Sequence, residues 1–181
     1  MLKHGILGLL NYSEMNGYEI LETFKDSLAH FWNVQKSQIY RELTSLENEG
    51  LITGEWVEQS GKPDKKVFSI TDKGRCDLLE WLAEDIKITN RDPILMKTFF
   101  LGERNIEENI AFFEKLKHSY SLKYEAFTVA DSSNDQYSEE LSDSYRSMFW
   151  GFTISYGRRR ARMIIEWCDE CIESLKGVKH E

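Results

Sequence analysis

The chain is short of cysteine and proline, has no long apolar run and lacks an excess of positive charge. Three cysteines, an odd number beside only two prolines in 181 residues, make no disulfide framework and fit a reducing compartment. The longest purely apolar stretch, Ile6 to Leu10 with Gly8 inside it, falls far short of the ~20 residues that cross a bilayer and of most signal-peptide cores. A cytoplasmic protein without membrane contact is therefore expected. With 31 acidic against 23 basic side chains the net charge is -8, which excludes coating nucleic acid by bulk charge. Gly61-Lys62 runs into Pro63, so there is no Walker phosphate loop, and no dinucleotide fingerprint is present. His4, His30, His118 and His180 lack metal-ligand spacing, and no nucleophile motif lies near them, so no metal, cofactor or catalytic group is expected.

What is present is apolar and periodic. At 41% apolar and 13% aromatic residues the chain builds a core, as one ordinary domain or two small ones. Leu2, Ile6, Leu9 and Leu10 recur at helical spacing up to a break at Asn16-Gly17, and Tyr18, Ile20, Leu21, Phe24 and Leu28 begin a second helix. A third carries Ile39, Leu43 and Leu46 and stops at Gly50. Residues 51–57 and 67–70 then favour strands around a polar turn, and Thr71-Asp72 caps a fourth helix through Leu78 and Leu82. The fold class expected is mainly α with a small β-hairpin, the first domain covering 1–88 and an all-helical second domain 89–181.

The second half opens with a cap at Asp92-Pro93 and a capping-box signal at Asn105 and Glu108. A polar stretch at 131–140 reads as a loop. The last helix carries the longest apolar stripe: Leu141, Tyr145, Met148, Phe149, Phe152, Tyr156, Met163, Ile164, Trp167, Cys171, Ile172 and Leu175. At ~1.5 Å per residue it would run roughly 50 Å, more than a half-chain domain buries against itself, so part of the stripe is expected to need a second subunit, with these residues as the dimerisation candidates; the alternative is a core helix kinked at Gly151 or Gly157. Trp150, off the stripe, with Phe149 and Phe99, is the candidate lining for a planar aromatic effector. Cys168 and Cys171 sit on a helix without a second ligand pair and read as packing residues.

Helix, helix, helix, hairpin is the order of a winged helix-turn-helix, whose third helix enters the major groove. Charge is distributed to suit it. Between Gln59 and Arg75 the basic residues Lys62, Lys65, Lys66, Lys73 and Arg75 face only Asp64 and Asp72, inside a first half that is otherwise acidic. The stretch Asn33 to Arg41 has no acid and offers Gln35, Lys36, Ser37, Gln38, Tyr40 and Arg41 at a helix N-terminus.

Gly17-Tyr18-Glu19-Ile20, Ile39-Tyr40, Leu46-Glu47, Gly50-Leu51-Ile52 and the Gly61-Lys62-Pro63 turn followed by Lys66, Phe68, Thr71 and Gly74 together resemble the PadR family of bacterial transcriptional regulators. The resemblance is close over residues 1–85 and looser over the second half, which is similar to the helical C-terminal domain of the longer members. It implies a dimer joined largely through its last helix, repressing from an inverted repeat in double-stranded DNA and released by a small molecule. Carried over by position, it implies DNA contacts at Tyr18, Lys36, Ser37, Gln38, Tyr40 and Arg41, and on the wing at Lys62, Lys65 and Lys66. Phe68 stands where many members have tyrosine, which removes a hydroxyl but not the packing. A second reading, of another class, is an acidic winged domain that binds a partner protein rather than DNA.

Overall fold

Residues 1–28, 31–58, 61, 64–86, 91–141 and 144–178 are described by a computed structural model, with backbone alone for residues 26, 27, 131–141 and 144. The chain divides into two compact units, Met1–Ile88 and Thr89–Glu181.

In the first unit, α1 (Leu2–Leu10), α2 (Gly17–Thr23) and α3 (Lys36–Asn48) precede a hairpin of β2 (Ile52–Val57) and β3 (Lys65–Ile70), and α4 (Asp72–Ala83) closes it. A strand the periodicity does not foresee, β1 (Met15–Asn16), pairs antiparallel with β3, giving a three-stranded sheet in the order β1-β3-β2. Ile6, Leu7, Ile20, Phe24, Ile39, Leu43, Leu46, Ile52 and Phe68 are buried in one core, so one face of each helix and the inner face of the hairpin meet.

Local chemistry sets the boundaries. Asn16 Oδ1 accepts from the amides of Tyr18 and Glu19 at 2.9 and 3.0 Å, while Glu19 Oε2 accepts from Asn16 N at 2.8 Å: a reciprocal cap that starts α2 abruptly. A π-helical turn, Phe24–Leu28, extends it. At the end of α3, Gly50 takes φ +68°, and Leu51 N donates to Leu46 O at 2.9 Å. Thr71 then stitches three elements. Its N–H donates to Leu51 O, its hydroxyl lies 2.9 Å from Gly50 O, and that hydroxyl accepts from Gly74 N at 3.1 Å to cap α4.

In the second unit, α5 (Pro93–Phe99) and a 3-10 turn (Leu101–Glu103) lead into α6 (Ile106–Leu141) and α7 (Ser144–Lys176). The two long helices run antiparallel, since Phe113 meets Trp167 whereas Phe127, further along α6, meets the earlier Gly157. The loop expected at 131–140 is instead the last part of α6, which has 36 residues. That polar stretch holds neither glycine nor proline, so its backbone continues the helix although the apolar stripe has ended. Asn109, 5% exposed, anchors the turn to α6 by donating its Nδ2 to Leu101 O at 2.7 Å. Among the described residues no helix is long and apolar enough to cross a membrane.

Candidate nucleic-acid interface

Burying Ile39, Leu43 and Leu46 turns the opposite face of α3 outward, because side chains three and four apart share a face. Lys36, Ser37, Tyr40 and Arg41 are exposed there, Gln35 sits at the start of the helix, and Gln38 is half-buried. Gln38 Oε1 accepts from Gln35 N at 2.8 Å, so its side-chain carbonyl serves the helix start. Tyr40 is held in place: its ring fills the space beside Gly17, where a Cβ would stand 2.8 Å from Cε1. Lys36 Nζ lies 5.7 Å from the centre of the same ring. Tyr18, 62% exposed, follows directly on Gly17, so the start of α2 and the outer face of α3 form one surface of cations, hydroxyls and amides.

The hairpin supplies the wing. Six residue pairs join its strands from Ile52–Ile70 to Val57–Lys65, and Gly61, at φ +77°, lies in the turn. Lys62 lies outside the described residues. Lys65 and Lys66 are present but not isolated: Lys66 Nζ is 2.7 Å from Glu47 Oε2 on α3, and Lys65 Nζ is 3.5 Å from Glu19 Oε1 on α2. Sequence reasoning missed Trp56, which pairs across the strands with Lys66 and is 71% exposed. The signal lay in the alternation of β2, where Ile52 faces the core and Gly54 and Trp56 continue its side beyond it.

In the second unit the stripe of α7 splits in two. Ile164 and Ile172 are buried, and Trp167 and Cys171 pack with them against Phe113 and Leu116 of the same chain. These four, named among the dimerisation candidates, pack within the chain's own core. Tyr145, Met148, Phe149, Phe152, Tyr156 and Met163 remain exposed, with Phe149 edge-on to Tyr145 and Phe152 at 5.2 and 5.5 Å between ring centres. Leu141 contributes backbone only to the described structure. Of the candidate effector residues, Phe99 is 83% exposed and edge-on to Phe100, and Trp150 is half-buried. Neither Trp150, Phe149 nor Phe99 lines the open hollow of about 430 Å³ beside Leu101, Asn109, Phe113 and Trp167, or the charged one of about 340 Å³ between Lys117 and Asp169.

Burial pushes the Cys168 thiol up to about 11, with Cys171 and Asp169 adding to it, and raises Cys171 as well. Cys76 is exposed. A thiol reagent at pH 8 is therefore expected to modify Cys76 promptly and Cys168 only after unfolding; two fast thiols in the native protein would contradict this packing. Among the described residues no three His, Cys, Asp or Glu side chains are grouped to hold a metal.

A three-helix head whose third helix turns a polar face outward and is followed by a basic hairpin defines a winged helix-turn-helix. The PadR-like family of transcriptional regulators matches residues 6–80, and the C-terminal region of the virulence activator alpha family matches residues 90–176. Residues 6–80 thus carry a domain of the PadR-like family. It is 41% identical over 104 residues to the negative transcriptional regulator PadR of Bacillus subtilis, covering 56% of this chain and 57% of that protein. It is 41% identical over 88 residues to a probable transcriptional regulator of Mycobacterium tuberculosis, covering 49% and 47%. The chain thus spans about half the length of the curated relatives it matches. Among solved structures, Bacillus subtilis PadR in complex with operator DNA superposes with a TM-score of 0.81 at 28% identity, over 96% of this chain and 98% of that one. The same regulator with p-coumaric acid gives 0.76 at 26% identity, over 97% and 98%.

Proposed function

We propose that the protein is a homodimeric cytoplasmic transcriptional repressor that binds an inverted-repeat operator in double-stranded DNA and is released by a small aromatic effector. The observation that carries the reading is the outer face of α3, where Lys36, Ser37, Gln38, Tyr40 and Arg41 stand beside Tyr18 in a fold similar to one solved on operator DNA. On this reading residues 1–88 form the DNA-binding domain, Lys36, Lys65, Lys66 and Tyr18 meet phosphate, and Gln38 and Arg41 read base edges. Residues 89–181 form the dimerisation and effector domain, joined through the exposed aromatic part of α7. The effector class is supported by the complex of the related regulator with p-coumaric acid.

Physics connects the two halves. Two recognition helices reach successive major grooves only when held ~34 Å apart, so whatever sets that spacing sets affinity. A ligand that binds the wrong spacing better by a few kcal/mol empties the operator.

The test is a gel shift and footprint with DNA from upstream of the protein's own reading frame. A symmetric protected site supports the reading, whereas no protection at moderate salt would favour the protein-interaction alternative. Arg41→Ala and Gln38→Ala are each expected to cost about 1–3 kcal/mol on the operator and to relax preference at one base pair per half-site. Lys36→Ala should instead weaken all DNA alike. Equal losses on operator and scrambled duplex for Arg41→Ala would remove it from base reading.

A further inference from the structure

Both described wing lysines are already engaged by carboxylates of their own unit. Lys66 Nζ donates to Glu47 Oε2 at 2.7 Å, with the lysine side chain 28% and the glutamate 33% exposed. The fold makes room for this pair. A Cβ at Gly54 would stand 2.4 Å from Lys66 Cε and 2.9 Å from Glu47 Oε1, so the glycine on β2 leaves open the space in which the lysine reaches α3. The ammonium also lies 5.5 Å from the ring centre of Phe68, which further fixes its position. Lys65 Nζ lies 3.5 Å from Glu19 Oε1, while the other oxygen of that carboxylate accepts from Asn16 N in the cap of α2. Glu19 is thus held by the helix start and Glu47 by the recognition helix, and each faces a lysine from a different element.

Resting on the DNA-binding role proposed above, we propose that Glu19 and Glu47 are specificity-determining residues: built-in competitors that hold the wing lysines away from phosphate unless the operator places a phosphate to displace them. Each carboxylate is an anion tethered beside its lysine. A phosphate on random DNA must either displace it or share the ammonium with it, so fewer counterions are released and non-specific binding is weakened. On the operator, contacts from α3 fix the duplex in register, and a phosphate arrives at the wing at high effective concentration. The competitor therefore costs more affinity on wrong DNA than on right DNA. Glu47 is the stronger of the two, since its pair is shorter and less exposed.

The experiment uses the full chain with Glu19→Gln, Glu47→Gln and both together. The side-chain carbonyl of the Glu19→Gln variant keeps the acceptor that the α2 cap requires. Glu80→Gln, at an exposed site on α4, removes the same charge away from the wing and is the control. Anisotropy titrations on an upstream duplex and on a scrambled one are run across a range of salt. Each wing substitution is expected to tighten scrambled DNA roughly threefold, the equivalent of an exposed ion pair, and to steepen its salt slope by ~0.9 per lysine set free. The operator should gain less, so the ratio between the two duplexes falls, while Glu80→Gln matches the parent.

Equal behaviour of Glu47→Gln and Glu80→Gln on scrambled DNA would overturn the proposal, as would an equal gain on both duplexes. A parent that fails to prefer its upstream duplex overturns the repressor reading instead. In that case the gain of Glu47→Gln over Glu80→Gln on scrambled DNA still decides whether the carboxylate screens the lysine.

Discussion

A chain carrying Phe149→Asp and Phe152→Asp is expected to be a monomer of 21.3 kDa and to bind operator about 10²–10⁴-fold more weakly than the parent. The two rings are 49% and 56% exposed and lie within an exposed run with Tyr145, Met148 and Tyr156. Two aspartates there forbid burial against a second copy, because an unpaired carboxylate in an apolar contact costs several kcal/mol. The fold of the subunit should survive, since Phe113, Ile164, Cys168 and Ile172 hold α7 to α6 on its other part. Loss of affinity follows from geometry: in a monomer the second winged head no longer binds as an intramolecular event. Light scattering at micromolar concentration reads the mass, and circular dichroism confirms that helix content is kept. A doubly substituted chain that still had twice the monomer mass would place the interface elsewhere.

Gly74→Ala is expected to destabilise the first unit by about 3 kcal/mol or more. A Cβ at this position in α4 would stand 2.1 Å from Leu51 O and 2.9 Å from Ile70 Cγ1. A flexible side chain could move aside, but Leu51 O is backbone and accepts from Thr71 N at 3.0 Å. Relief therefore requires the end of α3, the start of α4 and the end of β3 to separate together. For a unit of this size the loss should lower Tm by roughly 12 °C or more and abolish DNA binding in step with unfolding. Gly8→Ala is the matched comparison, for its Cβ meets nothing within 4 Å, and it should be neutral or mildly stabilising. A drop of less than about 2 °C for Gly74→Ala would mean that the junction opens at little cost.

The elements that could be read in advance are those whose signal is local. Ile39, Leu43 and Leu46 mark the inner face of α3 by spacing alone, Gly50 supplies the left-handed residue that ends it, and Thr71 and Asp92 cap the helices that follow them. What escaped depends on neighbours distant in the chain. Two residues, Met15–Asn16, are too few to show alternation, and they become a strand only because β3 offers an edge. The stripe of α7 looks uniform because helical spacing records which residues share a face and not which partner the face meets. Ile164 and Ile172 are buried with Phe113 of α6, whereas Phe149 and Phe152 stay exposed. The outward-facing polar side chains of α3 were legible in the same way as the core, as its complement. The carboxylates on Lys65 and Lys66 were not, since Glu47 precedes its lysine by 19 residues and is brought to it only by folding.

The stitch made by Thr71 bears on the entropy of recognition. Its hydrogen bonds to Gly50 O, Leu51 O and Gly74 N tie the exit of the wing strand to the end of the recognition helix. On the proposed DNA-binding reading, helix and wing approach a duplex as one preorganised body, and the freedom between them is surrendered during folding rather than at each encounter.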